Sequence, residues 1–155
     1  MQEVYLDNNI ACYIDYAHNA ESLEALLRTI RQYYNTNIIL VFGCGGNRSK
    51  IRRTLMGTVA GTHADLTIVT SDNPRFENPL HIMEDIAEGL KQSGGRYLTI
   101  EERKDAIWQA LSRANSGEVV IIAGKGHENY QEIEGVRYIQ SDYELVRQWE
   151  NEQKG

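Results

Sequence analysis

The segment Ile38-Ile-Leu-Val-Phe42-Gly43-Cys44-Gly45-Gly46-Asn47-Arg48-Ser49-Lys50 passes from five apolar residues through a glycine-rich turn into a basic run. A short, continuous apolar run bounded by turn residues is the mark of a strand covered on both faces, as in a parallel sheet. Ser49 onward reads as a helix start. Strand, glycine turn and helix together predict one βα unit of an α/β fold.

The same pattern repeats on both sides of this segment. Further apolar runs lie at Ile10–Ile14, Leu66–Val69, Tyr97–Ile100 and Val119–Ala123. Between them, Leu23, Leu26, Leu27 and Ile30 follow helical spacing, as do Met83, Ile86, Ala87 and Leu90, and Ile107, Ala110, Leu111 and Ala114. Asn78-Pro79 reads as an N-cap followed by proline at the first helical position. Thr99/Glu102 and Ser141/Glu144 have capping-box spacing. Alternation with short connections predicts a Rossmann-like α/β domain, a mainly parallel sheet of about six strands with helices on both faces. Glu3–Leu6 is expected to pair antiparallel with the first run across Asp7-Asn8-Asn9. A hairpin over Tyr130–Ile139, with Gly135 at its turn, should precede a last helix from about Asp142 to Trp149. The polar tail from Glu150 to Gly155 is expected to fray.

Composition narrows the function. The chain has 155 residues, 41% hydrophobic and 25% charged, and residues 1–155 read as a single domain. Sixteen Lys and Arg against 22 Asp and Glu leave a net charge of −6, which argues against nucleic acid and against an anionic membrane surface. The only two cysteines, Cys12 and Cys44, are far apart, and this fits a reducing cytoplasmic compartment rather than a zinc ribbon or a disulfide framework. Beside arginines, Cys44 has surroundings that could lower its pKa, but a bystander thiol is the plainer reading.

In an open α/β sheet, ligands bind beyond the carboxyl ends of the strands. Four such ends carry polar runs here: Asp15-Tyr-Ala-His18-Asn19, Gly43 to Lys50, Ser71-Asp72-Asn73-Pro74-Arg75, and Gly124-Lys125-Gly126-His127-Glu128. Neither glycine run completes a dinucleotide or phosphate-loop fingerprint, so each by itself is a tight turn. Arg48, Lys50, Arg52 and Arg53 are four cations within six residues, near a helix N-terminus that disfavours them unless an anion joins. The alternative is a solvated face with carboxylate neighbours. Proline fixes the turn at Pro74, so Asn73 and Arg75 should project together. An amide beside a guanidinium can read a carboxylate and, through the amide oxygen, an ammonium. No metal-ligand spacing and no strand–nucleophile–helix motif is present.

Together these loops resemble the Mur ligases. Asp15-Tyr-Ala-His18-Asn19 is similar to their D-Y-A-H-x-P, and Gly43-Cys-Gly-Gly-Asn-Arg48 with Arg53-Thr-Leu-Met-Gly57 to G-C-G-G-D-R…K-R-P-x-M-G. Asp72-Asn-Pro-Arg75 and Gly124-Lys-Gly-His-Glu128 match D-N-P-R and G-K-G-H-E. The combination is most like the branch that adds meso-diaminopimelate to UDP-N-acetylmuramoyl-L-alanyl-D-glutamate in peptidoglycan biosynthesis. The resemblance implies the C-terminal, amino-acid-binding domain of a three-domain enzyme. Its N-terminal UDP-sugar domain and central ATPase domain, with ATP, magnesium and a carbamylated lysine, lie outside this chain, which would be an excised domain or a stand-alone homologue.

By the same resemblance Arg53, Asp72, Asn73, Pro74, Arg75, Gly124 and Glu128 hold diaminopimelate. Asp15, His18, Asn19 and Arg48 face ATP. No catalytic residue and no metal ligand falls in this domain, which alone should be inactive and bind no cofactor of its own. Ala20, Asn47 and Thr54 depart from the motifs. The loss of two prolines should loosen two loops, and the loss of the aspartate removes a carboxylate near the nucleotide. Two other readings stay open: a detached binding module without catalysis, and a ligase for another amino acid, against which the D-N-P-R loop argues.

Overall fold

Along a strand, successive side chains point to opposite faces. In Ile38–Phe42 and Val119–Ala123 both sets are apolar and every residue is buried, so these two strands must lie at the centre with cover on both sides. The computed structural model describes residues 1–155 and shows that arrangement. The elements run β1 (Gln2–Tyr5), β2 (Ala11–Asp15), α1 (Ala20–Tyr33), β3 (Ile38–Phe42), α2 (Lys50–His63), β4 (Leu66–Val69), α3 (Pro79–Gln92), β5 (Tyr97–Thr99), α4 (Arg103–Arg113), β6 (Val119–Ala123), β7 (Tyr130–Ile133), β8 (Val136–Ile139) and α5 (Asp142–Lys154).

Six strands form one sheet in the order β1-β2-β6-β3-β4-β5, parallel throughout except for β1. The chain steps outward from β3 to β5 and then returns to place β6 between β2 and β3. A right-handed crossover puts its helix on one face when the chain steps outward and on the other when it returns. Accordingly Leu27 of α1, Met56 of α2 and Ile86 of α3 pack with Leu40 and Ile121 on one face. Ile107 of α4 and Val146 of α5 pack with Val41 and Ile122 on the other. The strand order therefore reverses at β6, and the crevice above such a reversal is where open α/β sheets bind ligands. The expected α/β class, strand count, β1–β2 pairing and β7–β8 hairpin are all present. No helix is long and apolar enough to cross a membrane.

Three N-caps follow their sequence signals, at Ser49, Asn78 and Ser141, and Asn19 caps α1 as a fourth. The side chains of Asn19, Ser49, Asn78 and Ser141 each accept a hydrogen bond from a backbone N–H in the first turn. Two expectations fail. Thr99 is the last residue of β5, and α4 begins at Arg103 behind Glu102, whose side chain makes no capping bond. The tail does not fray: α5 continues to Lys154. Its added turn is held from the β1–β2 turn, where Asp7 N–H donates to Glu150 (3.1 Å) and Lys154 pairs with the Asp7 carboxylate (2.9 Å).

Candidate functional site

Because β2, β6, β3 and β4 run parallel, the residues that follow them emerge along one edge. Asp15, Gly45, Asn73 and Gly124 all lie there, as expected. The loops lie close enough that glycine is required. A Cβ on Gly45 would sit 2.6 Å from Nη1 of Arg75, and Gly46 packs on the Pro74 carbonyl. Gly124, at φ +113°, has Asp72 Oδ2 2.9 Å from where a Cβ would stand.

The loop after β4 is held from three sides. Gly46 N–H donates to the Asn73 carbonyl (2.8 Å). From β7, Gln131 donates to the Asp72 carbonyl (2.9 Å) and Glu132 N–H to the Asn73 amide oxygen (2.9 Å). The Arg75 backbone exchanges hydrogen bonds with Glu132 and Glu134. Arg75 is locked at φ +54°, a left-handed conformation rare for a long side chain. Such strain, of order 1–3 kcal/mol, persists only where the surroundings impose it.

Above these loops is a pocket lined by Arg48, Arg75, Asn73, Asp72, Glu128 and Tyr16, with His18 and Arg52 at its rim. Arg48 and Arg75 come from the β3 and β4 loops, while Glu128 comes from the β6 loop and Asp72 leans toward Gly124. Two accessible cations, Arg48 and Arg75, and two carboxylates, Asp72 and Glu128, therefore share one pocket, with Arg52 reaching across to the His18 carbonyl (2.9 Å). Arg75 spends Nη1 on the Gly46 carbonyl (3.1 Å), its Nε stands 3.9 Å from the Glu132 carboxylate, and its Nη2 makes no hydrogen bond within the chain. Glu128 accepts from the Tyr16 hydroxyl (3.0 Å), which pushes that phenol's pKa up. Burial raises the Asp72 carboxyl, opposed by Arg103 and Lys125.

The basic run divides. Lys50 pairs with Glu88 (3.3 Å) and Arg53 with Glu77 (2.9 Å) and Asp85 (3.0 Å), as the carboxylate-neighbour reading has it. Arg48 and Arg52 have no carboxylate partner and face the pocket.

Several assignments change with this geometry. Arg53 is 4% exposed and lies outside the pocket. Its two Nη atoms are taken by two carboxylates and the Gly45 carbonyl (3.3 Å), while the buried Nε has no partner, so the side chain braces the glycine loop. Arg48, assigned to the nucleotide, lines the same pocket as Arg75. Asn19 spends its side-chain oxygen capping α1 in a box with Ser22, which leaves only its amide N–H groups for a ligand. Pro74 covers Gly46 without lining the pocket. Asn73 does not project: it is 5% exposed, and its amide oxygen is taken by Lys125 and Glu132, so it cannot accept from a ligand ammonium.

Asp15 lies in a neighbouring hollow with Tyr16 and His127, where it accepts from Ala17 N–H (2.9 Å) and pairs with the Met1 ammonium (3.3 Å). His18 joins the pocket rim, its Nδ1 3.2 Å from the Tyr16 carbonyl.

Two of the departures, Ala20 and Thr54, fall in helices rather than in loops. Asn47 occupies a left-handed position that asparagine tolerates, at φ +60°, and its N–H is held by Glu77. Thr54 donates to the Asp85 carbonyl (3.2 Å), and Ala20 opens the capped α1. Cys44 is a buried thiol pushed up to about 12 by desolvation, the reverse of activation. No three His, Cys, Asp or Glu side chains converge as a metal site.

Sequence reasoning missed Lys125, Arg103, Gln131 and Glu132. The lysine lies inside a quoted motif, and its position between two glycines at a strand end was the available signal. The other three act across the fold, and no local pattern marks them.

Comparison with known proteins places this architecture. The family model described as Mur ligase, glutamate ligase domain, matches residues 1–126. A UDP-N-acetylmuramoyl-L-alanyl-D-glutamate–2,6-diaminopimelate ligase of Caldanaerobacter subterraneus is 50% identical over 121 residues, 78% of this chain and 25% of that protein. The enzyme of that name from Aquifex aeolicus is 44% identical over 146 residues, 94% of this chain and 30% of that protein. A solved structure of such a ligase superposes with a TM-score of 0.93 at 41% identity, covering 100% of this chain and 32% of that one. The chain thus spans about a quarter to a third of the length of the relatives it matches. It belongs to the Mur ligase family and has the fold of that family's glutamate ligase domain.

Proposed function

We propose that this chain is the C-terminal, amino-acid-positioning domain of an ATP-dependent ligase that adds meso-diaminopimelate to UDP-N-acetylmuramoyl-L-alanyl-D-glutamate in peptidoglycan synthesis. The observation that carries the reading is the convergence on one pocket of two accessible cations, Arg48 and Arg75, the Asn73 amide and the carboxylates of Asp72 and Glu128. An α-amino acid end group presents the complementary pair. A ligand carboxylate would take charge-assisted bonds from Arg75 and Arg48, and its ammonium would face Asp72 and Glu128. The diaminopimelate relatives support the identity of that ligand.

ATP supplies the phosphoryl group that turns the acceptor's carboxyl into an acyl phosphate. The free amine of diaminopimelate then attacks the acyl carbon, phosphate departs and the amine loses its proton. This chain's part is orientation. By gripping the far amino-acid end, it points the reacting amine out of the pocket toward the acceptor. Asp15 and His18 are the groups it offers to a nucleotide, and magnesium would be held elsewhere in a longer protein. The UDP-sugar and ATPase domains are the partners this reading requires. Two free, buried thiols suit a cytoplasmic enzyme.

Calorimetric titration of the purified chain with meso-diaminopimelate and with 1,5-diaminopentane tests the proposal. The diamine carries two ammonium groups and no carboxylate and would leave Arg75 facing an ammonium, so it should bind at least about tenfold more weakly. Equal affinity, or a preference for the diamine, would overturn it.

A further inference from the structure

We propose that Lys125 is a positioning residue for this pocket: its buried ammonium takes the amide oxygen of Asn73, leaving the amide N–H to the ligand carboxylate, and it serves as the shared cation of Asp72 and Glu128. The inference rests on the amino-acid reading above and adds a residue to it that touches no ligand.

The geometry is specific. The Lys125 side chain is 0% exposed, and its Nζ lies 3.0 Å from Asn73 Oδ1 and 3.6 Å from both Asp72 Oδ1 and Glu128 Oε1. The Tyr130 ring stands 5.3 Å away. A cation removed from water is tolerated only when paired, and the pairs here are the pocket's own carboxylates.

An asparagine amide has two ends of nearly equal shape, and their partners decide which one faces outward. Both groups at Oδ1, the Lys125 ammonium and the Glu132 N–H, can only donate. The nitrogen end cannot replace the oxygen there. Asn73 therefore meets the pocket as a donor, suited to a carboxylate and not to an ammonium, and the ligand's orientation follows from that polarity.

The charges around this centre come from every element packed on it. Arg103 of α4 and Asp142 of α5 form a closed pair behind Asp72. Tyr16 binds Glu128, Tyr130 lies beside Nζ, and Cys44 is a neutral thiol nearby. Arg103 is engaged by Asp142 and still acts on Asp72 from behind, while Lys125 is the cation that stands 3.6 Å from both Asp72 and Glu128. Burial works against both members of the pair, lifting the Asp72 carboxyl and lowering the Lys125 ammonium, and each opposes the effect on the other. Desolvation already prevails at Asp72 with Lys125 in place; without it the carboxyl should rise further, and the pocket would hold less of the negative charge that the ligand's ammonium needs.

The test joins a ligand-free readout to a binding readout, on wild type, Lys125→Met, Lys125→Gln and Lys125→Arg. Carbon-13 NMR follows the Asp72 carboxyl in the free chain, and nitrogen-15 NMR follows the Lys125 Nζ. Wild type should show a charged ammonium at pH 7, and a neutral amine there would overturn the proposal without any variant. Both neutral variants should raise the Asp72 midpoint by about one pH unit or more. Lys125→Gln, whose amide can still donate to Asn73, separates charge from orientation. Calorimetry with meso-diaminopimelate should show about a tenfold loss for Lys125→Met at pH 7, partly recovered at higher pH as Asp72 ionises, and substantial rescue by Lys125→Arg. An unchanged Asp72 titration in folded Lys125→Gln, or unchanged affinity and pH profile in folded Lys125→Met, would overturn the role of Lys125. Failure of wild type to bind diaminopimelate would overturn the proposed function instead, and the ligand-free titrations would still decide the role of the lysine.

Discussion

Arg103 grips both carboxylate oxygens of Asp142, Nε to Oδ1 at 2.7 Å and Nη2 to Oδ2 at 2.8 Å, with both side chains wholly buried. The same guanidinium donates to the Ser71 carbonyl (3.1 Å) and the Ala123 carbonyl (3.4 Å). It thereby joins the starts of α4 and α5 to the chain just beyond β4 and to the last residue of β6. A cation in the first turn of α4 opposes that helix dipole, and Asp142, in the first turn of α5, compensates. Removing one member of a buried ion pair leaves the other uncompensated, at a cost of about 3–5 kcal/mol. Arg103→Met should lose stability of that order in urea denaturation. Adding Asp142→Leu should restore part of it, because an apolar pair carries no stranded charge. A single-variant loss below about 1 kcal/mol would show that the pair does not hold the two helices.

Arg75 makes its hydrogen bonds within the chain through Nη1, while Nη2 makes none. A hydrogen bond to a charged group contributes about 1.5–3 kcal/mol, so Arg75→Ala should weaken meso-diaminopimelate binding by about 10- to 100-fold. Binding of 1,5-diaminopentane, which has no carboxylate, should change little. Arg75→Lys should recover only part of the loss, because an ammonium cannot present the guanidinium fork. The check is calorimetry with both ligands, and an Arg75→Ala chain that still prefers diaminopimelate over the diamine by the wild-type ratio would remove Arg75 as the discriminator.

Glu77 links the site loops to acid stability. Its hydrogen bond from Arg53 holds the carboxyl below its ordinary value of 4.5, with help from Asn47 N–H and against partial burial. A carboxylate whose pKa is lower folded than unfolded adds stability that is fully present above the unfolded value and lost as pH falls through the folded one. Wild type should therefore lose melting temperature from about pH 4.5 downward, and Glu77→Gln should lose less over that range while starting less stable at pH 7. Parallel curves for the two proteins would mean that Glu77 titrates as it does unfolded.

Cys12 and Cys44 are both buried and pushed up to about 12 by desolvation. The thiolate is the nucleophile, so iodoacetamide at pH 8 should label neither residue in the folded chain and both in denaturant. Rapid native labelling of Cys44 would place an activated thiol at the pocket and contradict the burial argument.

Most of the architecture was legible because its causes are local. Leu66–Val69 and Val119–Ala123 are strands with the bounds read from their apolar runs. Leu23, Leu26, Leu27 and Ile30 are the buried stripe of α1. The edge on which the polar loops gather followed as well, since parallel strands share a carboxyl end. The Thr99/Glu102 spacing misled because β5 extends to Thr99 and the chain turns before α4 begins. The last turn of α5 was hidden because its partner, Asp7, is 143 residues from Glu150.

The alternation of apolar runs with amphipathic stripes was enough to dictate a parallel α/β sheet, and the four loop motifs were enough to place this chain beside the Mur ligases. Periodicity and motif are properties of neighbouring residues, and a string of neighbours contains them whole. Only the folded chain decided what each polar side chain is free to do. Arg53 and Arg75 look alike in sequence, yet Glu77 and Asp85 close around the first while the second keeps Nη2 without a partner in the chain. Asn73 could donate or accept until Lys125, 52 residues away, took its oxygen. Hydrogen-bonding capacity belongs to a residue type, but its allocation depends on which distant groups the sheet brings within about 3 Å.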